Sequence, residues 1–479
     1  MKKNAIAAAI AALTAMSPLL GHAQTQSDVL KEMQLLREGM TTMQARMSAL
    51  EASMKEKPVE AATDSERDAK LNRVVVQAGG LEDAMETQGL KRLKISGWTD
   101  PTYIYTERQN RSGFQFLNQQ WAGGTAPIEY GFDNGTFGMA QLDFQKEIEG
   151  GTKFRLTLSP NRGGLGNSID GTSIVHEASV AAPLGDLQTL AIAGQIPDWS
   201  GYEFAQANQT KLITHNLLFD YTGVAGYTGA GMQLVRGNWT SKAILANVTQ
   251  SKRANGEHAP ALAYRVDYYD YSREFFGFGF AGLHGNMPNY RALFDATGNV
   301  VTGAPFDTRE SMVDTFEVDA WYAKADWSFA GQVSLGTQRN AANTPDPVSG
   351  ELRDSRWWGL SGTASYKFTQ RLEASLRLDY LNNEANGGGV MGYSAPGIDP
   401  SAPYVIDGRN GIGNDGTNPE LGANRYSLAM GLKYALNPNV AFKLEYRIDA
   451  ASQPVFLDVR DSQYYSRNQL LGASMVASF

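Results

Sequence analysis

The chain of 479 residues has no cysteine, which excludes disulfide frameworks, thiolate metal centres and cysteine nucleophiles, and suits an oxidising compartment where a stray thiol is a hazard. Histidine is scarce. Beyond residue 23 there are only His176, His215, His258 and His284, none in a recognisable catalytic arrangement with Ser, Asn or Asp, so an enzyme is not expected. Basic charge is outweighed, with 42 Lys and Arg against 50 Asp and Glu and a net charge of −8, which argues against nucleic acid as a partner. Long apolar runs are missing too: past the amino terminus no stretch approaches the roughly 18 residues a helical span needs. A chain like this can cross a membrane only as a closed barrel, which satisfies every backbone polar group in lipid. No cofactor motif is present, and no cofactor or metal is expected.

The amino terminus has the form of an export signal. Lys2 and Lys3 precede a mostly apolar segment from Ala5 to Leu20, and Gly21 and Ala23 put small residues where a signal peptidase reads, so residues 1–23 are expected to be removed. Apolar residues then fall at Val29, Met33, Leu36, Met40, Met43, Met47, Leu50 and Met54, at alternating spacings of four and three. A period of 3.5 keeps one seam turned to a partner helix, so residues 24–57 are expected to form a coiled coil that oligomerises through those eight positions. An amphipathic helix lying on the chain's own barrel or on a membrane has the same pattern. Methionine at half the seam packs adaptably and specifies oligomer number poorly. Pro58 ends the helix and residues 58–90 read as a linker, in which the run Val74 to Val76 has no assigned role.

What the chain has in quantity is glycine (50), aromatic residues (8 Trp, 21 Tyr, 20 Phe) and proline (18), a mixture suited to many strands joined by turns. Near the carboxyl end Val440, Phe442, Leu444, Tyr446 and Ile448 alternate with Ala441, Lys443, Glu445, Arg447 and Asp449, one face apolar and the other ionic. The pattern recurs from Leu372 to Tyr380 and from Tyr426 to Tyr434. Segments of about ten residues alternating in this way are what a transmembrane barrel requires. The last strand, ending on Phe479 with apolar residues at every second position before it, resembles the signal by which outer-membrane barrels are recognised for assembly. Sixteen strands are expected, near 92–107, 135–148, 153–160, 173–183, 189–204, 227–236, 241–250, 260–270, 275–285, 314–326, 328–338, 356–367, 371–384, 424–436, 440–451 and 467–479. Their connections alternate short and long, so both termini lie on the short-turn, periplasmic side. The expected fold is all-β: an antiparallel transmembrane barrel of about 16 strands over residues 91–479, preceded by the coiled coil. A propeller or solenoid would show an internal repeat, and none is seen.

A barrel this wide cannot be filled by its wall residues, so the ionic faces enclose water. Arg155, Arg265, Asp267, Glu317, Asp319, Arg377, Asp379, Lys443, Glu445 and Arg447 are the candidate pore-lining residues. Any one of them can equally serve only to bridge neighbouring strands. The third long loop, Ala205 to Gly226, mixes the apolar pair Leu217 and Leu218 with Lys211, His215 and Asp220, as a segment folded inward against the wall would. It can also cap the barrel from outside. The seventh loop carries Asp399, Asp407, Asp415 and Glu420, at spacings that match no standard calcium loop.

The words Gly194-Gln195-Ile196, Gly201-Tyr202-Glu203 and the stretch from Thr222 to Gly231 resemble the OmpL-like group of putative β-barrel porins, and a coiled coil ahead of a barrel is similar to porins with periplasmic helical extensions. The resemblance implies an outer-membrane porin that passes small hydrophilic solutes by passive diffusion. It implies a constriction at the third loop, at Lys211, His215 and Asp220, and a homotrimer whose partners are lipid and solute. The negative net charge leans toward cations. The competing expectation is an envelope-tethering or surface-binding protein with a plugged barrel, its coiled coil engaging a partner.

Overall fold

The computed structural model describes residues 92–117, 138–159, 174–224, 226–248, 260–272, 274–289, 310–391, 409, 411–414 and 417–479. The expected signal segment, coiled coil and linker lie outside the described residues, as do Asp399, Asp407 and Asp415. Among the described residues twenty strands follow one another: β1 (Leu93–Thr99), β2 (Thr102–Thr106), β3 (Arg111–Gln115), β4 (Ala140–Glu147), β5 (Lys153–Leu158), β6 (Val175–Pro183), β7 (Thr189–Pro197), β8 (Gly226–Arg236), β9 (Trp239–Val248) and β10 (Ala261–Asp270). The second half comprises β11 (Phe275–Pro288), β12 (Glu310–Lys324), β13 (Trp327–Gln338), β14 (Ser355–Lys367), β15 (Leu372–Asn382), β16 (Arg425–Asn437), β17 (Val440–Ala451), β18 (Phe456–Asp458), β19 (Gln463–Tyr465) and β20 (Arg467–Ser478). One short helix, α1 (Leu217–Thr222), lies between β7 and β8.

All but β18 and β19 belong to one antiparallel sheet that closes on itself, with β20 pairing both β1 and β2. β1 and β2 form a single stave interrupted at Asp100 and Pro101, and β3 and β4 pair with its two halves as a second broken stave. The barrel therefore has sixteen staves. The break has a local cause. Asp100 turns its carboxylate to the backbone N–H groups of Gly138 and Met139, so the chain that leaves β3 at Gln115 is brought back beside the same stave. Phe479 completes the seam: its N–H donates to the Gly97 carbonyl at 3.0 Å and its carbonyl accepts from the Gly97 N–H at 3.2 Å.

The pleat sorts side chains by parity, and here the sorting is the reverse of a soluble protein's. Leu376 and Leu378 are 42% and 57% exposed, whereas Arg377 between them is fully buried. Apolar residues face outward all around the wall and polar ones inward. Aromatic residues ring the outer face near the short turns (Trp327, Tyr366, Phe368) and again toward the long loops (Trp358, Tyr380, Tyr426). Short connections occupy one end, among them Gly237-Asn238 between β8 and β9 and Ala325-Asp326 between β12 and β13; the long loops occupy the other. Sequence alternation extends the fifth stave to residue 204, but β7 ends at Pro197. The Asp198 side chain accepts from the N–H groups of Trp199 and Ser200, and the chain turns into the barrel there.

Candidate functional site: the inward loop and the cavity beside it

Residues 198–224, the described part of the third long loop, lie inside the barrel and are fastened to its wall by the charges that alternation had marked. Arg377 on β15 donates to the carbonyls of Thr214 (2.7 Å) and His215 (2.7 Å) and to the Thr214 hydroxyl (3.1 Å), and it pairs with Glu203 (3.3 Å) and Asp379 (3.2 Å). Lys443 on β17 gives its ammonium to Ala207 O, Thr210 Oγ1 and Leu212 O, at 2.7, 2.8 and 3.0 Å. Glu445 accepts the N–H groups of Ile213 (2.5 Å) and Thr214 (2.9 Å). Arg447 donates to His215 O at 3.1 Å, pairs with Asp449 at 2.9 Å and lies 3.9 Å from Asp220. A buried charge is tolerable only when paired and hydrogen-bonded, and the loop backbone supplies the missing partners.

The other end of the loop is held the same way. Arg265 on β10 reaches Trp199 O (3.0 Å) while pairing with Asp319 and Asp267, each at 2.8 Å. Glu317 on β12 accepts from the Gly201 N–H and from Gln332 (2.9 Å). Tyr202 puts its hydroxyl on Ser361 (2.7 Å) and Thr363 (2.9 Å) of β14. Gly201, Tyr202 and Glu203, one of the words carrying the sequence resemblance, thus each fasten the loop to a different stave. Of the three loop candidates, Lys211 pairs with Glu373 on β15, His215 binds Phe204 O through Nε2 (2.8 Å), and Asp220 sits in the first turn of α1.

Apolar packing completes the mount. α1 is capped by Asn216, which accepts from the Phe219 N–H at 2.7 Å, and Leu217, Leu218 and Tyr221 have no exposed surface. They join a core of wall residues including Tyr227, Ile244, Leu283, Trp357 and Leu381, capped by Val455 and Phe456 from the last long loop. Burying a leucine fully contributes about 1.5–3 kcal/mol, so this core is a stabilising element of its own. Wall glycines leave the room it needs: a Cβ on Gly359 would lie 2.5 Å from Leu218 Cδ2, and one on Gly431 2.4 Å from Leu212 Cδ2.

The loop does not fill the barrel. Between it and the wall of β1 and β4 to β10 runs an open cavity of about 750 Å³, reaching from Arg92, Glu147 and Lys153 at the short-turn rim to Trp199, Phe204 and Gln209. Arg155, Arg265 and Asp267 border it. Arg155 is bound to Asp143 (2.8 Å) and Glu177 (3.3 Å). Arg377, Asp379, Lys443, Glu445 and Arg447 face the interior beneath the loop, each almost fully buried. Alternation alone did not single out Glu203 and Arg425, yet Arg425 binds Tyr221 of α1 (2.8 Å) and pairs with Asp449 (3.2 Å), the last member of the ionic face of β17. Arg425 opens β16 with the inward parity, which is the signal available in sequence; nothing local marks Glu203, because its partner Arg377 is 174 residues away. At the long-loop end, Asp458 is clamped by Arg460 (2.5 Å) and Arg108 (3.0 Å), and these hydrogen bonds, Arg460 first, hold its carboxyl well below the usual range. Among the described residues no cluster of three His, Asp or Glu is placed to hold a metal.

A closed antiparallel barrel of sixteen staves, apolar outside and ionic within, with one long loop folded into it, is a porin-like membrane barrel. The chain belongs to a family described as protein of unknown function (DUF3138), whose model matches residues 62–479. No curated protein matches it. Among solved structures it is similar to OmpT, an outer membrane protein of Vibrio cholerae (10% identity, 81% of this chain and 97% of that one, TM-score 0.49). It is also similar to the outer membrane channel DcaP of Acinetobacter baumannii (11% identity, 81% and 97% covered, TM-score 0.46) and to an anion-selective porin from Comamonas acidovorans (10% identity, 81% and 99% covered, TM-score 0.46).

Proposed function

We propose that this protein is an OmpL-like outer-membrane porin through which small hydrophilic solutes diffuse passively. Residues 1–23 serve as export signal, 24–57 as a periplasmic coiled coil, 58–90 as linker and 91–479 as the membrane barrel, in a homotrimer. The observation that supports conduction is the open cavity between the inward loop and the wall of β1 and β4 to β10, polar and of both charge signs. On this reading the interior charges divide in two. Arg155, Arg265 and Asp267 line the path, Arg265 also holding the loop at Trp199, while Glu317, Asp319, Arg377, Asp379, Lys443, Glu445 and Arg447 hold the loop that defines it. Among the described residues the cavity lining carries seven basic and five acidic side chains, so the path favours anions although the whole chain is acidic. Purified protein in a planar bilayer should give stepwise conductance. A second reading, a sealed barrel serving as an envelope tether, draws support from the apolar core around α1, which occupies the interior on the long-loop side. A silent barrel that loses partner binding when residues 24–57 are deleted would decide for the tether.

A further inference from the structure

The cavity lining combines two features that an unselective water path does not need. The first is bare aromatic surface. Phe204 projects from the inward loop 49% exposed, although it lies within the barrel. It borders both the large cavity and a second one of about 160 Å³, and Trp321 on β12 borders both as well. Beside Trp321 on the wall stands Tyr269, ring centroids 6.1 Å apart, with Phe275 6.3 Å from Tyr269. Gly277, which pairs with both Tyr269 and Trp321 in the sheet, leaves the wall flush between them. Unlike Leu217 and Leu218, Phe204 is not covered by the protein, so its apolar face remains to be covered by a solute.

The second feature is a cation without a counter-charge. Lys242 lies 4.6 Å over the Trp199 ring and has no hydrogen-bond or ion-pair partner among the described residues. The carboxylates around it are engaged: Glu177 by Arg155, Glu203 by Arg377, Asp267 by Arg265, and Glu147 by Arg92 and Lys153. Asp198 accepts from Ser200 and from the Tyr227 hydroxyl. Each of these carboxylates already has a donor of its own, whereas the Lys242 ammonium has no such partner among the described residues, so an anion finds an available donor here. Arg265 ties the two features together. It faces Lys242 across the β9–β10 pair, binds Trp199 O, and lies 5.5 Å from the Trp321 ring centroid.

We propose that this part of the cavity is a binding site for small aromatic carboxylates, the ring held against Phe204 and Trp321 and the carboxylate on Lys242. The inference rests on the channel reading for the solute's route, and its test separates the two. Full-length protein is titrated with benzoate, with acetate, benzyl alcohol and glucose as comparisons, by tryptophan fluorescence in detergent and by current through single barrels in a bilayer. Benzoate is expected to bind and to interrupt the current, the three comparisons far more weakly. Phe204→Ala, at an exposed position where folding is not at stake, should weaken benzoate binding by roughly three- to tenfold. Lys242→Gln should weaken it by roughly tenfold or more and bring benzoate and benzyl alcohol together. Heat-dependent migration on gels verifies that each variant is folded. Acetate binding as well as benzoate, glucose binding better than either, or folded variants indistinguishable from the parent would each overturn the site. Steady conductance without benzoate binding overturns the site and leaves the channel standing; binding in a silent barrel supports the site and overturns the channel.

Discussion

Replacing Arg377 by methionine is the sharpest perturbation of the loop's mount. The guanidinium serves two loop carbonyls, one loop hydroxyl and two carboxylates, all at 2.7–3.3 Å and without exposure. Methionine has similar length but no donor, so Glu203 and Asp379 would be left as buried charges short of their cation. Breaking a buried ion pair from one side costs about 3–5 kcal/mol. At about 1.4 kcal/mol per factor of ten, that shifts the loop's docked-to-released ratio by roughly two to three and a half decades. The sheet itself is untouched, so the strain should be relieved by release of the loop rather than by unfolding of the barrel. The absence of native cysteine makes the release measurable. Ile213→Cys places one thiol where the parent side chain is 6% exposed, packed against Ile104 and Leu470. In the Arg377→Met background, maleimide labelling of that thiol should accelerate by at least tenfold and single-barrel conductance should rise. Unchanged labelling and unchanged conductance in a folded variant would refute the assignment of Arg377 as a fastening of the loop.

Gly431→Val tests the same mount from the wall side: its Cβ would meet Leu212, so the loop should be displaced with the barrel still assembled, and an Ala207→Cys reporter should label faster than in the parent. Reversal potentials in a salt gradient should show anion preference, with Lys153→Glu and Lys242→Glu together moving it toward cations; cation preference in the parent protein would contradict the assigned path. Because Asp458 is more acidic folded than unfolded, its clamp contributes stability above the ordinary carboxylate value of about 4, and that contribution is lost as pH falls through the lowered folded value. Hydrogen exchange in the β18–β19 hairpin should accordingly stay slow at about pH 4, and Asp458→Asn should make it fast at neutral pH; exchange that accelerates fully near pH 4 in the parent would contradict the clamp.

Much of this molecule is local in character and could be read from one strand at a time. Outward Leu376 and Leu378 around inward Arg377 announce a barrel because parity is a property of the pleat, and the sixteen staves follow from repeating that reading between turns. Inward placement of Arg155, Arg265 and Lys443 follows by the same rule. Alternation could say which face a side chain takes, but not what it meets there. That Arg377 closes on Glu203 and Thr214, that Lys443 takes three oxygen atoms of the loop, and that Gly431 makes space for Leu212 depend on chain segments more than 160 residues apart in sequence. Only closure of the barrel brings them together. Closure also set the electrostatics: the sequence as a whole is acidic, but the wall left uncovered by the loop is the more basic one. Composition averages over every surface, whereas a solute meets only the residues the tertiary structure leaves bare.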